Sequence, residues 1–129
     1  MILVGSSVWI DYFNGTERRA TQKLDGLLGV QPVCTGDLIM AEVLQGFRLD
    51  ADYQVAKKLL CALPIHSMVG SDISIKSVDN FRALRKQGIT IRKTIDALIA
   101  TYCIETGLTL LHSDKDFQPY QQYLGLQTL

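Results

Sequence analysis

Short apolar runs alternate with stretches whose apolar residues recur every three or four positions, a pattern that predicts strands and helices in turn along the chain. The first run, Ile2–Val4, is followed by Gly5 and two serines. It predicts a buried strand, a tight turn, and a helix over "VWIDYF" capped by Ser6 or Ser7. In "ERRATQKLDGLLG" the residues Ala20, Leu24, Leu27 and Leu28 share one helical face, and Gly29 is placed to stop it. "PVCTG" predicts a second strand, and "DLIMAEVLQGFR" a helix capped by Asp37, with Leu38, Ile39, Val43, Leu44 and Phe47 as its apolar residues. "DYQVAKKLLCAL" repeats the pattern through Val55, Leu59, Leu60 and Leu63; Pro64 then forces an extended exit into a short strand in "IHSM". A longer helix is expected over "SDISIKSVDNFRALRKQG", with Ile75, Val78, Phe81, Ala83 and Leu84 inward and Gly88 closing it. "TIDALIATYCIETG" is apolar on nearly every side, as a helix buried all round would be. "LTLLHS" is the clearest strand; "DKDFQPYQQY" follows it, and "LQTL" is an edge-strand candidate. Strands separated by helices, with no hairpin signal, imply an α/β fold whose mostly parallel sheet is covered on both faces.

A length of 129 residues suits one domain, spanning 1–129, that buries a core without staples. With 47% hydrophobic and 20% charged residues the chain has the composition of a soluble globular protein. No apolar run approaches the roughly 20 residues of a bilayer span, so no membrane association is expected. "MILV" is too short for the apolar region of a secretory leader, and a cytoplasmic location is expected. Three widely spaced cysteines, Cys34, Cys61 and Cys103, suggest reduced core thiols rather than a disulfide or zinc framework. The formal net charge of +0 supplies no global attraction to nucleic acid, so such binding would need a local patch.

Candidate chemistry lies in the acids. Sheets of this class place ligands beyond the carboxyl ends of their strands, which directs attention to Asp114 and Asp116 after "LTLLHS". A plainer reading has Asp114 capping the next helix and Asp116 complementing its dipole. Asp96 lies on the nearly all-apolar helix, either paired with Arg92 four positions earlier or held as a desolvated carboxylate that needs a cation or donor beside it. Glu42 is flanked by Met40, Ala41, Val43 and Leu44; alone it reads as a solvated helical residue. Carboxylates converging on one spot repel each other and persist mainly with a divalent cation, and oxygen ligands without His or Cys suit Mg²⁺ or Mn²⁺. Trp9 and Tyr12 have the helical spacing of core or interface residues rather than base-stacking platforms.

The segments "MILVGSSVWIDYF", "EVLQGF", "IDALIA" and "HSDKDF", in that order, resemble those of the PIN-domain ribonucleases, specifically VapC-type toxins of bacterial toxin–antitoxin pairs. The resemblance spans essentially the whole chain. It implies a three-layer α/β/α sandwich, an acidic site holding Mg²⁺ or Mn²⁺, an RNA substrate, a homodimer, and a VapB-like antitoxin whose tail inserts near the acids. Matched residue by residue, the family's second, third and fourth acids fall on Glu42, Asp96 and Asp114, with Asp116 alongside, and Ser7 matches a small polar residue assisting the first acid. The first acid belongs at position 5, where this chain has Gly. Glycine offers no oxygen ligand, so metal binding and catalysis are expected to be impaired; alternatively Gly5 serves a tight turn that needs positive φ. The basic residues Arg85, Lys86, Arg92 and Lys93 precede Asp96 and are candidates for RNA phosphate contacts, or form a solvated helix end. A catalytically silent antitoxin-binding protein is the competing functional reading. A phosphoryl-transfer fold with a nucleophilic Asp after the first strand is disfavoured by Gly5.

Overall fold

Four short strands, β1 (Ile2–Val4), β2 (Val33–Gly36), β3 (Ile65–His66) and β4 (Thr109–Leu111), form one sheet in the order β3-β2-β1-β4. Every neighbouring pair is parallel. The computed structural model describes residues 1–129. Seven α-helices cover the sheet: α1 (Ser6–Phe13), α2 (Arg19–Leu27), α3 (Asp37–Leu44), α4 (Asp50–Cys61), α5 (Ser71–Lys86), α6 (Thr94–Thr106) and α7 (Gln118–Leu124), the last entered through a 3-10 turn at Lys115–Phe117. Helix α1 packs on α2 and α3, while α5 packs on α6 and α7, giving the expected α/β/α sandwich. A parallel sheet covered on both faces demands strands without a polar side, which "ILV" and "TLL" supply: Leu3, Val4, Leu110 and Leu111 are all buried. They share one core with Trp9, Leu24, Ile39, Leu60, Leu84 and Ile99. Trp9 is fully buried and stacks on Phe13 at 5.7 Å, so it is a core residue as its spacing implied.

The strand order places the site. Strands β2 and β3 succeed one another on one side of β1, and the chain then returns to lay β4 on its other side. Connections leaving the carboxyl ends of β1 and β4 therefore diverge, and a crevice opens where they part. Gly5 follows β1 and Asp114 follows β4, so both stand at that reversal.

Several local expectations are corrected. Neither Ser6 nor Ser7 caps α1; Gly5 takes the cap position with no side-chain bond, and Ser6 is already helical. Likewise Gly36 precedes α3 and Asp37 is its first residue, with Asp37 Oδ1 accepting the amides of Leu38 (2.8 Å) and Met68 (3.1 Å). On α5 the inward face carries Ser77 and Leu84, while Ile75 and Val78 are 62% and 57% exposed and Ala83 also faces solvent. The reason is close helix packing: the small Ser77 faces inward, and one turn on Asn80 Nδ2 donates to Thr101 Oγ1 of α6 at 3.0 Å. On α4, Ala56 and Leu60 turn inward while Val55 is exposed. The strand in "IHSM" is two residues long, and "LQTL" contributes a single parallel bridge from Thr128 to Leu110 rather than a strand.

Gly36 is fixed by packing rather than by φ. A Cβ there would collide with Sδ and lie 2.7 Å from Cγ of the fully buried Met68. Gly36→Ala is expected to destabilise the fold by about 1–3 kcal/mol through overpacking, read as a lowered thermal midpoint. Trimming the neighbour with Met68→Ala should not add its full separate cost, because the two substitutions share one contact.

Candidate metal centre

At the carboxyl end of β4 the chain runs through His112 and Ser113 to Asp114, whose Oδ1 accepts the Asp116 amide at 3.0 Å. Asp114 thus caps the 3-10 turn, as its plainer reading held, while its Oδ2 meets Lys93 Nζ at 3.2 Å. Asp96 enters from the first turn of α6, only 8% exposed, with a buried Oδ2 that has no hydrogen-bond partner. Glu42 comes from α3 and is held by Ser6, whose Oγ donates to Oε1 at 2.6 Å. A cleft of about 270 Å³ brings Glu42, Asp96, Asp114, Ser6, Ser7 and Lys93 together. One ligand oxygen each from Asp96, Asp114 and Asp116 lies within 4.8 Å of the others. Four carboxylates from three separate stretches of chain therefore converge; Glu42 shares the cleft but lies outside the tight aspartate trio.

Burial pushes the Asp96 carboxyl up to about 6; Lys93 opposes the shift, and Asp114, Glu42 and Asp116 reinforce it. Asp114 goes the other way, held below its ordinary value first by the Asp116 amide and then, against burial, by Lys93. Two neighbouring acids thus have opposite preferences, set by burial in one case and by a backbone donor in the other. The Lys93 ammonium is raised above its ordinary value by its hydrogen bond to Asp114 and the charges of Asp114 and Asp96. Burial lowers the His112 imidazole, and the amide of Asp114 donates to its Nδ1 at 3.2 Å, an arrangement that the neutral ring accepts.

Comparison with known proteins decides the family. A family model described as the PIN domain matches residues 2–121. The chain is a PIN domain. It is 29% identical over 129 residues to ribonuclease VapC11 of Mycobacterium tuberculosis and to a VapC ribonuclease of Mycobacterium bovis, with 98% of this chain and 96% of each relative covered. Among solved structures, the VapBC2 complex of Rickettsia felis bound to a promoter DNA fragment matches with a TM-score of 0.77 at 17% identity, covering 100% of this chain and 98% of the other. A toxin–antitoxin complex from Klebsiella pneumoniae matches with 0.66 at 25% identity, covering 91% and 90%. VapC20 of M. tuberculosis, described as a sarcin-ricin loop cleaving toxin, matches with 0.65 at 17%, covering 92% and 93%.

In this PIN domain Gly5 has φ −69° and ψ 159°, extended backbone open to any residue, so the positive-φ explanation of Gly5 is overturned. Ser6 Oγ orients Glu42, while Ser7 Oγ lies 3.2 Å from Ser113 Oγ and lines the same cleft. The cation beside Asp96 is Lys93, at 3.9 Å, and not Arg92. Of the four basic candidates only Lys93 lines the cleft: Arg85 lies over the Phe81 ring at 5.5 Å, and Lys86 and Arg92 are exposed elsewhere. Ser6 escaped the sequence reading because its helical register depends on where the turn at Gly5 ends, which tertiary packing sets.

The donor set fits a divalent cation. All the ligand atoms are carboxylate oxygens, and the buried, unpartnered Oδ2 of Asp96 is an acceptor that no protein donor serves. Lys93 Nζ lies 3.2, 3.9 and 3.6 Å from Oδ2 of Asp114, Asp96 and Asp116, so its charge addresses the same oxygens a cation would use. Lys93→Met is expected to raise Mn²⁺ affinity about tenfold, measured from the free-ion signal in electron paramagnetic resonance titrations. Unchanged affinity would show that the ammonium does not compete.

Proposed function

We propose that this PIN domain belongs to the metal-dependent ribonuclease toxins, cleaving single-stranded or looped RNA under the control of a VapB-like antitoxin, with activity suppressed by Gly5. The observation that carries the reading is the convergence of Asp96, Asp114 and Asp116 within 4.8 Å around an acceptor that lacks a protein donor. Asp96, Asp114 and Asp116 would hold Mg²⁺ or Mn²⁺, which when bound supplies a nucleophilic water and neutralises charge on the phosphate. Glu42, fixed by Ser6, faces the same space and is placed to accept a proton from the attacking water. Lys93 contributes positive charge at the cleft, where it can pair with a phosphate oxygen.

Partner binding has support in two apolar surfaces. A groove lined by Ile10, Asn14, Val43, Gly46 and Phe47 opens between α1 and α3, and Ile10 also lines the acidic cleft. An antitoxin segment seated in this groove would lead directly to the acids, where an Arg from its tail would satisfy them. The outward Ile75 and Val78 of α5 offer a face for a homodimer. No helix is long and apolar enough to cross a membrane, and all three cysteines are free; an RNA substrate would be met in the cytoplasm.

The second reading, a silent PIN fold that sequesters antitoxin, is favoured by Gly5 alone. An RNA cleavage assay on the chain and its Gly5→Asp variant, with Mn²⁺ or with chelator, separates the two. Metal-dependent cleavage by the variant supports the ribonuclease reading; none by either chain supports the silent binder.

A further inference from the structure

The acidic cleft poses a problem that the ribonuclease reading leaves open. It gathers four carboxylates, three of them around one ammonium, and RNA presents a negative charge at every phosphate. Even with a dication bound, a strand reaching this cleft needs positive surface beside it to hold its flanking phosphates. Arg85, Lys86 and Arg92 line neither the cleft nor any neighbouring cavity.

A second cavity does provide that surface. It has a volume of about 450 Å³, larger than the cleft, and is lined by Arg18, Arg19 and Lys23 of the α2 end against His112 and Ser113 after β4 and Leu129, with no acidic side chain. Arg19 and Lys23 are four positions apart and so share a helix face. Arg18 is engaged by Asp11 at 3.1 Å, whereas Arg19 and Lys23 make no ion pair. The first turn of α2 holds no acid, so its peptide dipoles add to the positive field. In a chain whose formal charges sum to zero, Arg18, Arg19 and Lys23 give this one concavity a basic lining. The cavity also adjoins the cleft: Ser113 lines one, Ser7 lines the other, and their hydroxyl oxygens are 3.2 Å apart.

We propose that this basic cavity is a phosphate subsite, receiving a backbone phosphate of the RNA strand that crosses the Ser7–Ser113 pair on its way to the carboxylates. The proposal rests on the ribonuclease reading. Recognition there is of phosphate charge, without base readout, so the cavity contributes affinity and register rather than sequence choice.

The test uses the full chain in chelator, so that binding is read without cleavage, and a fluorescein-labelled single-stranded RNA followed by anisotropy over a salt series. Arg19→Ala/Lys23→Ala is expected to weaken binding tenfold or more at low salt. The slope of log affinity against log salt should become shallower by about 0.7 for each phosphate contact removed. Arg85→Ala/Lys86→Ala is expected to match the parent. Because Arg19 is exposed and Lys23 half-exposed, thermal midpoints should be unchanged in the first variant, and Lys23→Glu alone provides a second reading of the same charge. Equal affinity and slope in Arg19→Ala/Lys23→Ala would overturn the subsite and leave the ribonuclease reading standing. A parent chain that binds no RNA at low salt would also overturn the subsite, whereas absence of cleavage by the Gly5→Asp chain in Mn²⁺ is what would overturn the ribonuclease reading.

Discussion

Gly5→Asp is expected to raise the rate of RNA cleavage in Mn²⁺ by about 100-fold, and Asp96→Asn added to it should return the rate to background. The magnitude follows from positioning: misplacing a reacting group by about 1 Å costs on that order. The direction follows from space and backbone. Position 5 is already extended, and a Cβ there meets Leu111 O at 3.3 Å and His112 Cβ at 3.7 Å, which a shift of a few tenths of an ångström accommodates. The added carboxylate would project from the end of β1 beside the chain that carries Asp114, at the crevice where β1 and β4 part. Initial rates on a single-stranded RNA, with chelator as control, measure it. A variant that folds, binds Mn²⁺ and cleaves nothing would sink the claim that Gly5 is what silences the site.

Asp96→Asn should also stabilise the metal-free chain, because the native carboxylate is held where it is poorly solvated. Its folded value of about 6 exceeds the ordinary 3.8, so between those two pH values the folded state holds more protons than the unfolded one. Stability from this group is therefore greatest below pH 4, falls as pH rises toward 6, and stays low above that. A rise of that size sets an upper bound of about 3 kcal/mol on the destabilisation at pH 7. Asp114 has the opposite sign: its lowered value adds stability above pH 4 that is lost on acidification. Asn at position 96 should flatten the fall between pH 4 and 6 and raise the melting midpoint at pH 7 by roughly 4 °C for each kcal/mol recovered. Saturating Mn²⁺ should reverse the ranking, since the ion stabilises the native chain and finds a weakened site in the variant. Thermal melts across pH, with and without Mn²⁺, check both halves; a destabilised Asp96→Asn chain in chelator would contradict the account.

The layers of this fold were legible because burial on both faces leaves little choice of residue: "ILV", "VCTG" and "TLL" read as strands directly, and the all-apolar α6 read as a buried helix. Where one small residue decides, the pattern misled. Ile75 and Val78 look inward by apolarity, but Ser77 takes the inner face because it allows α5 and α6 to approach. The acids were found one by one, since a carboxylate in an apolar stretch is conspicuous, and the resemblance supplied their convergence. Their partners were not legible. Whether Ser6 or Ser7 reaches Glu42, and whether Arg92 or Lys93 faces Asp96, turns on single-residue rotations of about 100° that packing fixes after the helices dock. The basic cavity was missed for the same reason, since Arg18, Arg19 and Lys23 on α2 meet Ser113 only through the fold.

The unstrained backbone at Gly5 has a genetic consequence. Glycine and aspartate codons with a pyrimidine in the third place differ by one base, and the extended φ and ψ at position 5 are open to either residue. On the proposed ribonuclease reading, a lineage carrying such a codon would stand one base change from a site with its first acid restored, and would remain under pressure to keep the gene for its neutraliser close at hand.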